Sequence, residues 1–443
     1  MQSQLSPNRR CLAEAKYDRK VVLKGFEAAY QRLVYNLSMR IAYIVPYVPN
    51  QIRTRPYNLI NQLVALGHEV SVFMLGSNAQ DLLDAQTLGS KCNRVYYHVQ
   101  PVWRSFLNCA AALASHHPLQ YVYSWQGGMA QQIAQRISQE EFDIVHVEHL
   151  RGSRYGVFLK SRFPAMPVVW DSVDCISHLF RQAASHSRSF FGKFMTRFDL
   201  PRTAQAESDL ICQFDHALVT SAADRKAMLE LVPTGQTPSP ISILPNGVDT
   251  EYFYPNPELQ RDAETIVFSG KMSYHANISM AKYLVEEIMP RIWKVRPAAR
   301  LYIVGKDPTI DIKELQNDPR IIVTGTVEDI RPFLWRATVS VVPLLYGAGI
   351  QNKILEAMAT GTPVVTTCGA VSALEAQPGE HLLVSDDPDG FSQAVLQLIQ
   401  DPNLQKKIGE AGQAYVRAYH QWISIASRLV HIYHQALQRE SAW

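Results

Sequence analysis

The sequence predicts an α/β protein made of two doubly wound domains in tandem, and two observations support this prediction. From Met39 onward, short apolar runs alternate with longer amphipathic stretches, which is the pattern of βα units and of parallel sheets covered on both faces. A segment over 233–249, rich in Pro, Gly, Ser and Thr, interrupts this alternation and reads as a linker. Ligands are therefore expected in the crevice between the domains, at the carboxyl ends of the strands.

Each predicted strand is a short apolar run followed by a helical pattern. In the first half of the chain the runs cover 40–46, 69–75, 94–100, 143–148, 167–174 and 217–221. In the second half they cover 265–270, 301–305, 320–325, 339–344, 363–367 and 381–385. Because strands and helices alternate throughout, each half is predicted to be Rossmann-like.

The domain boundaries follow from the same pattern. Residues 1–38 are polar and aperiodic before a weakly helical stretch, so they form an N-terminal extension, either a disordered arm or the product of a non-native start codon. We expect an N-terminal domain over 39–240, a C-terminal domain over 241–420 and a final helix over 421–443.

Composition and charge argue against several classes of protein. A hydrophobic share of 47% and a charged share of 19% are typical of a globular protein with a sizeable core. The net charge is +3, of which residues 1–38 carry +4, so the remainder is nearly balanced. A nucleic-acid-binding protein needs a concentrated basic face, and we therefore expect no nucleic-acid partner.

The cysteines and the apolar runs indicate a cytoplasmic protein. Six scattered cysteines include no C-x-x-C pair, which indicates neither a disulfide framework nor a zinc site and favours a reducing compartment. No apolar run approaches the ~18 residues that span a bilayer. The N-terminus lacks the basic-then-apolar pattern of a secretory signal.

The segment YGAGIQNKILEAMATGTPVV, residues 346–365, carries the most informative motif. Gly347 and Gly349 look like half of a dinucleotide fingerprint, but the third glycine position holds Asn352, and that interpretation fails. The pattern instead predicts a turn and a helix starting near Ile350, whose N-terminus favours an anion.

Two charged residues on this predicted helix suggest a role. In one interpretation, Lys353 and the helix start at Gly349 and Ile350 hold a diphosphate, while Glu356 accepts hydrogen bonds from ribose hydroxyls. In the other, Lys353 and Glu356 form a surface ion pair at i, i+3 that contributes a few tenths of a kcal/mol.

Several motifs, in the expected order, resemble the family 4 glycosyltransferases, which are retaining enzymes of the GT-B fold. GIQNKILEAMATGTPVVTT resembles the motif of their C-terminal domain, and IVFSGKM (266–272) resembles their phosphate-contacting turn. LPNGVDTEYFYP (244–255) resembles the link between the domains, and VTGTVEDIRPFLWRATVSVVPL (322–344) resembles the base-pocket region. GHEV (67–70) and DIVHVEH (143–149) resemble landmarks of the N-terminal domain.

The resemblance covers about residues 39 to 438 and is similar in detail to a branch associated with bacterial exopolysaccharide synthesis. It implies retaining transfer from a UDP- or GDP-sugar to a glycan or lipid-linked acceptor, with no cofactor and no required metal. It also implies that the C-terminal helix packs back across both domains. The implied donor-binding residues are Gly270, Lys271, Thr326, Val327, Gly349, Ile350, Lys353 and Glu356.

The sequence departs from the family pattern at two places. The family often has two glutamates eight positions apart, and Ala348 stands where the first is expected. The usual Gly-Arg turn is Gly270-Lys271, with Ala276 and Asn277 near an expected lysine, so Lys353 is the candidate substitute for the missing phosphate cation.

The N-terminal domain is expected to supply the acceptor site. Arg53 and Arg55 precede a predicted helix and either bind acceptor phosphate or are simply solvated. His146 and His149 follow an apolar strand where the resemblance implies a functional histidine, although Glu148 replaces the second histidine of the common His-x-His. The candidate catalytic residues are His146, His149, Lys271 and Lys353.

Three further expectations remain open at this point. The acidic runs 171–174 and 385–389 are interpreted as a strand end and a helix cap, not as metal sites. The basic, Phe-rich segment 186–198 either docks on the inner face of the plasma membrane or buries its Phe face within the domain. Alternative functions are a GT-B nucleotide-sugar epimerase and a non-catalytic sugar-nucleotide-binding protein, the latter suggested by Ala348.

Overall fold

The computed structural model describes residues 38–186, 190–346 and 350–440, and these form two parallel sheets. The first sheet comprises β1 (Arg40–Val45), β2 (Glu69–Gly76), β3 (Arg94–Val99), β4 (Ile144–Glu148), β5 (Val168–Val173), β6 (His216–Val219) and β7 (Ile241–Ile243). The second comprises β8 (Thr265–Ser269), β9 (Arg300–Val304), β10 (Ile321–Gly325), β11 (Val339–Val342), β12 (Val364–Thr366) and β13 (Leu383–Val384). The prediction of two doubly wound α/β domains is confirmed.

The helices alternate with these strands. Those of the N-terminal domain are α1 (Thr54–Ala65), α2 (Ala79–Gly89), α3 (Val102–Ala112), α4 (Leu119–Tyr123), α5 (Gly127–Gln139), α6 (His149–Arg162), α7 (Ile176–His186), α8 (Phe190–Gln213) and α9 (Ala222–Leu229). Those that follow are α10 (His275–Tyr283), α11 (Met289–Val295), α12 (Ile310–Glu314), α13 (Arg331–Arg336), α14 (Asn352–Ala359), α15 (Cys368–Val371), α16 (Pro388–Gln400), α17 (Pro402–Tyr419) and α18 (Trp422–Glu440). A π-helical turn at Leu284–Ile288 joins α10 to α11, and a 3-10 turn at Leu315–Asn317 follows α12.

Strand order places a switch point in each sheet. The orders are β3-β2-β1-β4-β5-β6-β7 and β10-β9-β8-β11-β12-β13, so the direction of winding reverses next to β1 and next to β8. In open α/β sheets, ligands bind beyond the carboxyl ends of the strands at such reversals. The residues that follow β4 and β8 are therefore the first places to look for a site.

The first sheet is covered on both faces because its strands send alternate side chains into two cores. In β1, Ala42 and Ile44 join one buried cluster, whereas Ile41, Tyr43 and Val45 join the other. A strand that is buried on both faces reads as a continuous apolar run, which is why β1 was visible in the sequence.

The predicted linker over 233–249 is partly wrong. Its residues Ile241–Ile243 form β7, which pairs in parallel with β6 and completes the first sheet. The predicted boundary at 241 therefore falls inside the N-terminal domain. A strand of three residues flanked by prolines is too short to produce a periodic signal, so composition alone indicated a loop.

The chain passes between the domains twice, and the two connections lie against each other. The Val248 amide donates to the His420 carbonyl over 2.7 Å, and the ring nitrogen Nδ1 of His420 lies 2.8 Å from the Asn246 carbonyl oxygen. A Cβ on Gly247 would lie only 2.7 Å from the ring of Trp422, so this close approach needs a glycine.

The last helix returns to the N-terminal domain, as predicted. Ile425, Leu429 and Tyr433 of α18 are buried in the same core as Leu59 and Leu63 of α1. The helix thus connects the end of the C-terminal domain to the first βα unit.

Some predictions cannot be compared with the structure. The extension over 1–38 lies almost entirely outside the described residues, and the segment 186–198 includes 187–189, which also lie outside them. The five described cysteines are free thiols. Within the described ranges, no helix combines the length and apolar character needed to cross a membrane.

The packing of α18 leads to a first prediction. Ile425→Ala removes a fully buried side chain between α18 and α1, and we expect it to lower the free energy of unfolding by ~2–5 kcal/mol. Ile423→Ala is the control on the same helix, because Ile423 is exposed and its loss should change stability by less than ~0.5 kcal/mol. Urea unfolding measures both, and equal effects would contradict the packing described here.

Candidate active site

Two glycines bring the ends of neighbouring strands into direct contact at the switch point of the second sheet. Gly270 follows β8 with φ of +151°, and Gly305 follows β9 with φ of +145°. A Cβ on Gly305 would lie 1.8 Å from the Gly270 carbonyl oxygen, which no neighbouring side chain could relieve. The turn after β8 therefore presents bare backbone, as a phosphate-binding turn requires.

The ammonium group of Lys353 lies directly beside this turn. Its Nζ donates to Asn277 Oδ1 over 2.6 Å and lies 3.2 Å from the position that a Cβ on Gly270 would occupy. The same Nζ lies 4.7 Å from the ring centroid of Phe268, whose face attracts a cation. Lys353 is 9% exposed, so the surface ion-pair interpretation is wrong.

Burial shifts the pKa of both charged residues on α14. Desolvation lowers the pKa of Lys353 to about 7, and the nearby Glu356 carboxylate only partly opposes this shift. Desolvation raises the pKa of Glu356 to about 7, and Lys353 partly opposes it in turn. A cation held this far from water is stabilised by an incoming anion, because the anion replaces the lost hydration.

The start of α14 differs from the prediction. The helix begins at Asn352 and not near Ile350, which precedes it in the chain and is buried. Gly349, together with Gly347 and Ala348, lies outside the described residues, so its predicted donor contact is not seen. The Lys353 amide therefore belongs to the first turn of α14, where backbone N–H groups have no partner within the helix.

The other predicted donor residues lie at the strand ends of the same domain. Lys271 is exposed, and its Nζ lies 3.8 Å from Asp307 Oδ2, so it is a rim residue and not the buried cation. Thr326 is exposed and Val327 is half-buried, directly after β10.

Asn277 has a role that its sequence pattern did not indicate. Its Nδ2 donates to the Lys271 carbonyl over 2.9 Å while its Oδ1 accepts from Lys353, so it connects the turn after β8 to α14. The sequence hint to this role was the position of Asn277, near the place where the family resemblance leads us to expect a lysine. Asn277 is neutral, and it orients Lys353 from another helix.

A second polar cluster lies at the ends of β4 and β5 in the N-terminal domain. Its members His146, Glu148 and Asp171 are all fully buried. Tyr43 and Tyr47 donate their hydroxyl protons to the Glu148 carboxylate over 3.0 and 3.1 Å. These bonds hold Glu148 inward.

The ring of His146 is fully buried and does not reach the crevice, so the predicted direct catalytic role is wrong. Nδ1 lies 2.8 Å from the Tyr433 hydroxyl of α18, and the ring stacks on Tyr43 at 4.1 Å between centroids. Burial lowers the pKa of His146 to about 4, so the ring is neutral at physiological pH. His146 is a positioning residue that ties β4 to the last helix.

His149 is the better candidate of the two histidines. It is half-buried at the carboxyl end of β4 and has φ of +62°, an uncommon backbone conformation for a residue with a side chain. Its Nδ1 accepts a hydrogen bond from the Arg151 amide over 3.3 Å. Burial, with a smaller effect of the Arg151 charge, lowers its pKa to about 4, so His149 offers a neutral ring.

Arg55 is not available to an acceptor, contrary to the prediction. Its guanidinium is buried, and Nε donates to Asp171 Oδ2 over 2.9 Å. Nη1 donates to Asn246 Oδ1 over 2.9 Å, and Asn246 Nδ2 donates to Asn352 Oδ1 over 3.4 Å. Arg55 therefore connects the core of the N-terminal domain to the start of α14.

Arg53 remains accessible at the rim of the first βα loop. Its Nη1 donates to the Val48 carbonyl over 3.0 Å, and its guanidinium lies 5.0 Å from the centre of the Tyr47 ring. Asp81 is its ion-pair partner at 3.7 Å, a contact partly exposed to solvent. The predicted acceptor contact thus rests on Arg53 alone.

The acidic runs 171–174 and 385–389 contain residues with structural roles. Atoms of His146, Glu148 and Asp171 lie within 4.8 Å of one another, a spacing that a metal ion could occupy. However, Arg55 already neutralises Asp171, and two tyrosines already bond Glu148, so the residues do not fit a cation well. In the second run, Asp387 caps α16 through the Gly390 amide. That no metal is required stays a prediction.

The fold and this site together define a glycosyltransferase of the GT-B class. The family model described as Glycosyltransferase Family 4 matches residues 52–252, and the one described as Glycosyl transferases group 1 matches residues 263–401. The two matches occupy most of both domains in the order that the resemblance implied. The chain belongs to glycosyltransferase family 4.

Individual relatives are similar over most of the chain. The MMP alpha-(1->4)-mannosyltransferase of Mycolicibacterium hassiacum is 22% identical over 400 residues, covering 87% of this chain and 94% of the relative. The phosphatidyl-myo-inositol mannosyltransferase of Mycolicibacterium smegmatis is 23% identical over 410 residues, covering 89% and 93%.

Solved structures show the same fold. Sucrose-phosphate synthase from Thermosynechococcus elongatus has a TM-score of 0.65 at 17% identity, covering 90% of this chain and all of that one. Anabaena HepE, solved with UDP and glucose, has a TM-score of 0.62 at 13% identity, covering 89% of this chain and 99% of that one.

The burial of Arg55 leads to a second prediction. Arg55→Met leaves the Asp171 carboxylate buried without its counter-charge, so we expect a loss of ~3–5 kcal/mol in the free energy of unfolding. Adding Asp171→Asn to that variant should restore part of the loss, because it removes the unpaired charge. The control Arg53→Met should cost less than ~1 kcal/mol, since its ion pair is partly exposed. Urea unfolding distinguishes the roles, and a stable Arg55→Met variant would restore the acceptor-binding interpretation.

Proposed function

We propose that this protein transfers a sugar from a nucleotide-sugar donor to a glycan or lipid-linked acceptor, with retention at the anomeric carbon. The observation that carries the proposal is the Lys353 ammonium, buried beside the bare turn at Gly270. This pairing of a desolvated cation with exposed backbone suits a diphosphate better than it suits a neutral ligand.

The chemistry of glycosyl transfer explains why a buried cation is useful. As the bond between the anomeric carbon and the diphosphate oxygen breaks, negative charge grows on the departing diphosphate. Lys353 and the N–H groups at the start of α14 stabilise that charge in a site where water competes little. The Glu356 carboxylate, three residues further along α14, accepts hydrogen bonds from the ribose hydroxyls.

The N-terminal domain then presents the acceptor. His149 follows β4 at the switch point of the first sheet, and Arg53 lies in the first βα loop, so both approach the crevice from the opposite side. His149 carries a neutral ring and acts as a hydrogen-bonding group at the reacting sugar. Arg53 supplies a positive charge for an acceptor that bears phosphate.

The names of the relatives support the classes of donor and acceptor. HepE was solved with UDP and glucose, which supports a UDP-sugar donor, while the mannosyltransferases leave a GDP-sugar as the second candidate. The phosphatidyl-myo-inositol enzyme acts on a lipid, which supports a lipid-linked acceptor. Retention, the absence of a metal requirement and a role in cell-surface polysaccharide synthesis at the cytoplasmic face of the membrane follow from the family resemblance.

A panel of UDP-, GDP- and ADP-sugars tests the proposal. We expect one donor class to bind and to be hydrolysed slowly or transferred. Binding without hydrolysis or transfer would favour a non-catalytic protein, the alternative that Ala348 suggests. Conversion of the donor to an epimer would favour the epimerase, and no binding at all would overturn both the transferase and the epimerase.

Glu356 supplies a third prediction. Glu356→Ala should weaken nucleotide-sugar binding by ~1.5–3 kcal/mol, the contribution of a charge-assisted hydrogen bond. Glu410→Ala, an exposed acid on α17, is the control and should bind as the unchanged protein does. Titration calorimetry measures both, and an unchanged dissociation constant in Glu356→Ala would remove the ribose role.

The shifted pKa values of Lys353 and Glu356 predict a bell-shaped pH dependence of donor affinity, as a fourth prediction. Above about pH 7, Lys353 loses the proton that attracts the diphosphate, and below about pH 7, Glu356 gains a proton and loses an acceptor. A nucleotide sugar suits the measurement, because its diphosphate does not titrate in this range.

Two substitutions separate the limbs of that profile. Lys353→Met should remove the fall in affinity above pH 7, and Glu356→Gln should remove the fall below it. Lys271→Met is the control, because Lys271 is an exposed rim residue and its loss should leave the shape of the profile unchanged. A profile that keeps its alkaline limb in Lys353→Met would show that another group is responsible.

A further inference from the structure

Helix α3 turns its apolar side to solvent. Val102, Trp103, Phe106, Leu107 and the following Leu113 are between 51% and 66% exposed. The four that belong to the helix follow the spacing i, i+1, i+4, i+5, so they form one continuous stripe. A contiguous stripe of large apolar side chains on a protein surface usually marks a contact with something else.

The inward side of the same helix is small and polar, which is the reverse of an ordinary surface helix. Ser105 is buried and accepts from Gln100 Nε2 over 3.4 Å, while Asn108 Nδ2 donates to the Trp125 carbonyl over 2.9 Å. Cys109 Sγ donates to the Leu119 carbonyl over 3.8 Å. Because these bonds fix which side of α3 faces the domain, the apolar stripe cannot rotate inward without breaking them.

The sequence on both sides of α3 contains no acidic residue. Residues 85–139 have no Asp or Glu, although the chain as a whole has 40 in 443 residues, so about five would be expected there. Arg104 is exposed on α3 itself.

The middle of α8 adjoins the end of α3 and adds a basic residue there. Arg202 Nη1 donates to the Ala112 carbonyl over 3.2 Å, at the carboxyl end of α3. The first acidic residue of α8, Asp199, is buried and accepts from the Leu119 amide over 3.0 Å, so its charge is turned inward. The surface presented outward is therefore apolar, with exposed Arg104 on it and half-buried Arg202 at its end.

We propose that this outward stripe of α3 docks the protein on the surface of an anionic lipid bilayer. Trp and Phe side chains insert at the level of the headgroups, and Arg104 on the stripe and Arg202 at its end attract the anionic lipids. The stripe lies on the N-terminal domain, away from the donor cradle of the C-terminal domain. The proposal therefore goes beyond the transfer reaction, to which it adds a means of reaching an acceptor in a membrane.

Two other occupants could cover the stripe, a second copy of this chain and its own residues 1–38. The charge of the surface favours a bilayer over both. A second copy of this chain would place Arg104 and the acid-free surface opposite the same positive surface, which is repulsive. Residues 1–38 of this chain carry a net charge of +4, so they too are poorly matched to a basic surface. Anionic headgroups are complementary to it.

Sedimentation of the full chain with lipid vesicles tests the proposal, without donor or acceptor present. Vesicles of phosphatidylcholine alone are compared with vesicles that also contain phosphatidylglycerol. We expect binding to the anionic vesicles that weakens as salt increases. The triple variant Trp103→Ser, Phe106→Ser and Leu107→Ser should lose at least ~10-fold in partitioning, because the inserted apolar side chains are gone.

A matched control removes exposed apolar side chains elsewhere. Leu83→Ser with Ile310→Ser changes two comparably exposed residues on α2 and α12 and should leave partitioning unchanged. All variants should keep the melting temperature of the unchanged protein, because the substituted side chains are exposed. Donor affinity is measured in parallel, so a failure of the proposed function is distinguishable from a failure of docking.

Four outcomes would overturn the proposal. The first is that the unchanged protein fails to bind anionic vesicles. The second is that the triple variant binds them as well as the unchanged protein does. A dimer that the triple variant abolishes would assign the stripe to a second copy. Vesicle binding that appears only after residues 1–37 are removed would assign it to the N-terminal segment.

Discussion

The arrangement of the whole molecule depends on the ion pair between Arg55 and Asp171 and on its extension through Asn246. Asp171 lies near the end of a buried strand of the first sheet, and Arg55 lies in the first turn of the first helix, so their contact closes the core beneath the crevice. Asn246 then accepts from Arg55 and donates to Asn352, at the start of α14. One hydrogen-bonded path thus runs from the N-terminal domain to the helix that carries Lys353.

The two domains differ in how far the buried charges at their strand ends are compensated. In the N-terminal domain, Glu148 and Asp171 are fully buried, and each has partners: two tyrosine hydroxyls for Glu148 and the Arg55 guanidinium for Asp171. In the C-terminal domain, Lys353 and Glu356 keep pKa values near 7 because burial is only partly compensated. A buried lysine that lacks full compensation is unfavourable for folding alone, and such sites are where binding energy is used.

Much of the fold could be predicted from the sequence, because strands buried on both faces are continuous apolar runs and helices carry their own period. β7 was missed, since three residues between prolines leave no period to detect. The start of α14 was placed about two residues early, because cap positions depend on backbone geometry. The site was predicted in part: Lys353 and Glu356 lie where the motif indicated, whereas Arg55 and His146 are held inside by partners far away in sequence.

The sequence by itself determined the class of this protein, since periodicity and motif order require only local and sequential information. It also determined that a lysine and a glutamate share the first turns of the helix after β11. Only the tertiary structure decided which cation lies beside the Gly270 turn, because Asn277, Phe268 and Lys353 meet from three separate elements. It also decided which side of α3 faces water, because Asn108 donates a hydrogen bond and Ser105 accepts one on the inward side of that helix. Periodicity alone predicts a stripe without saying which way it points.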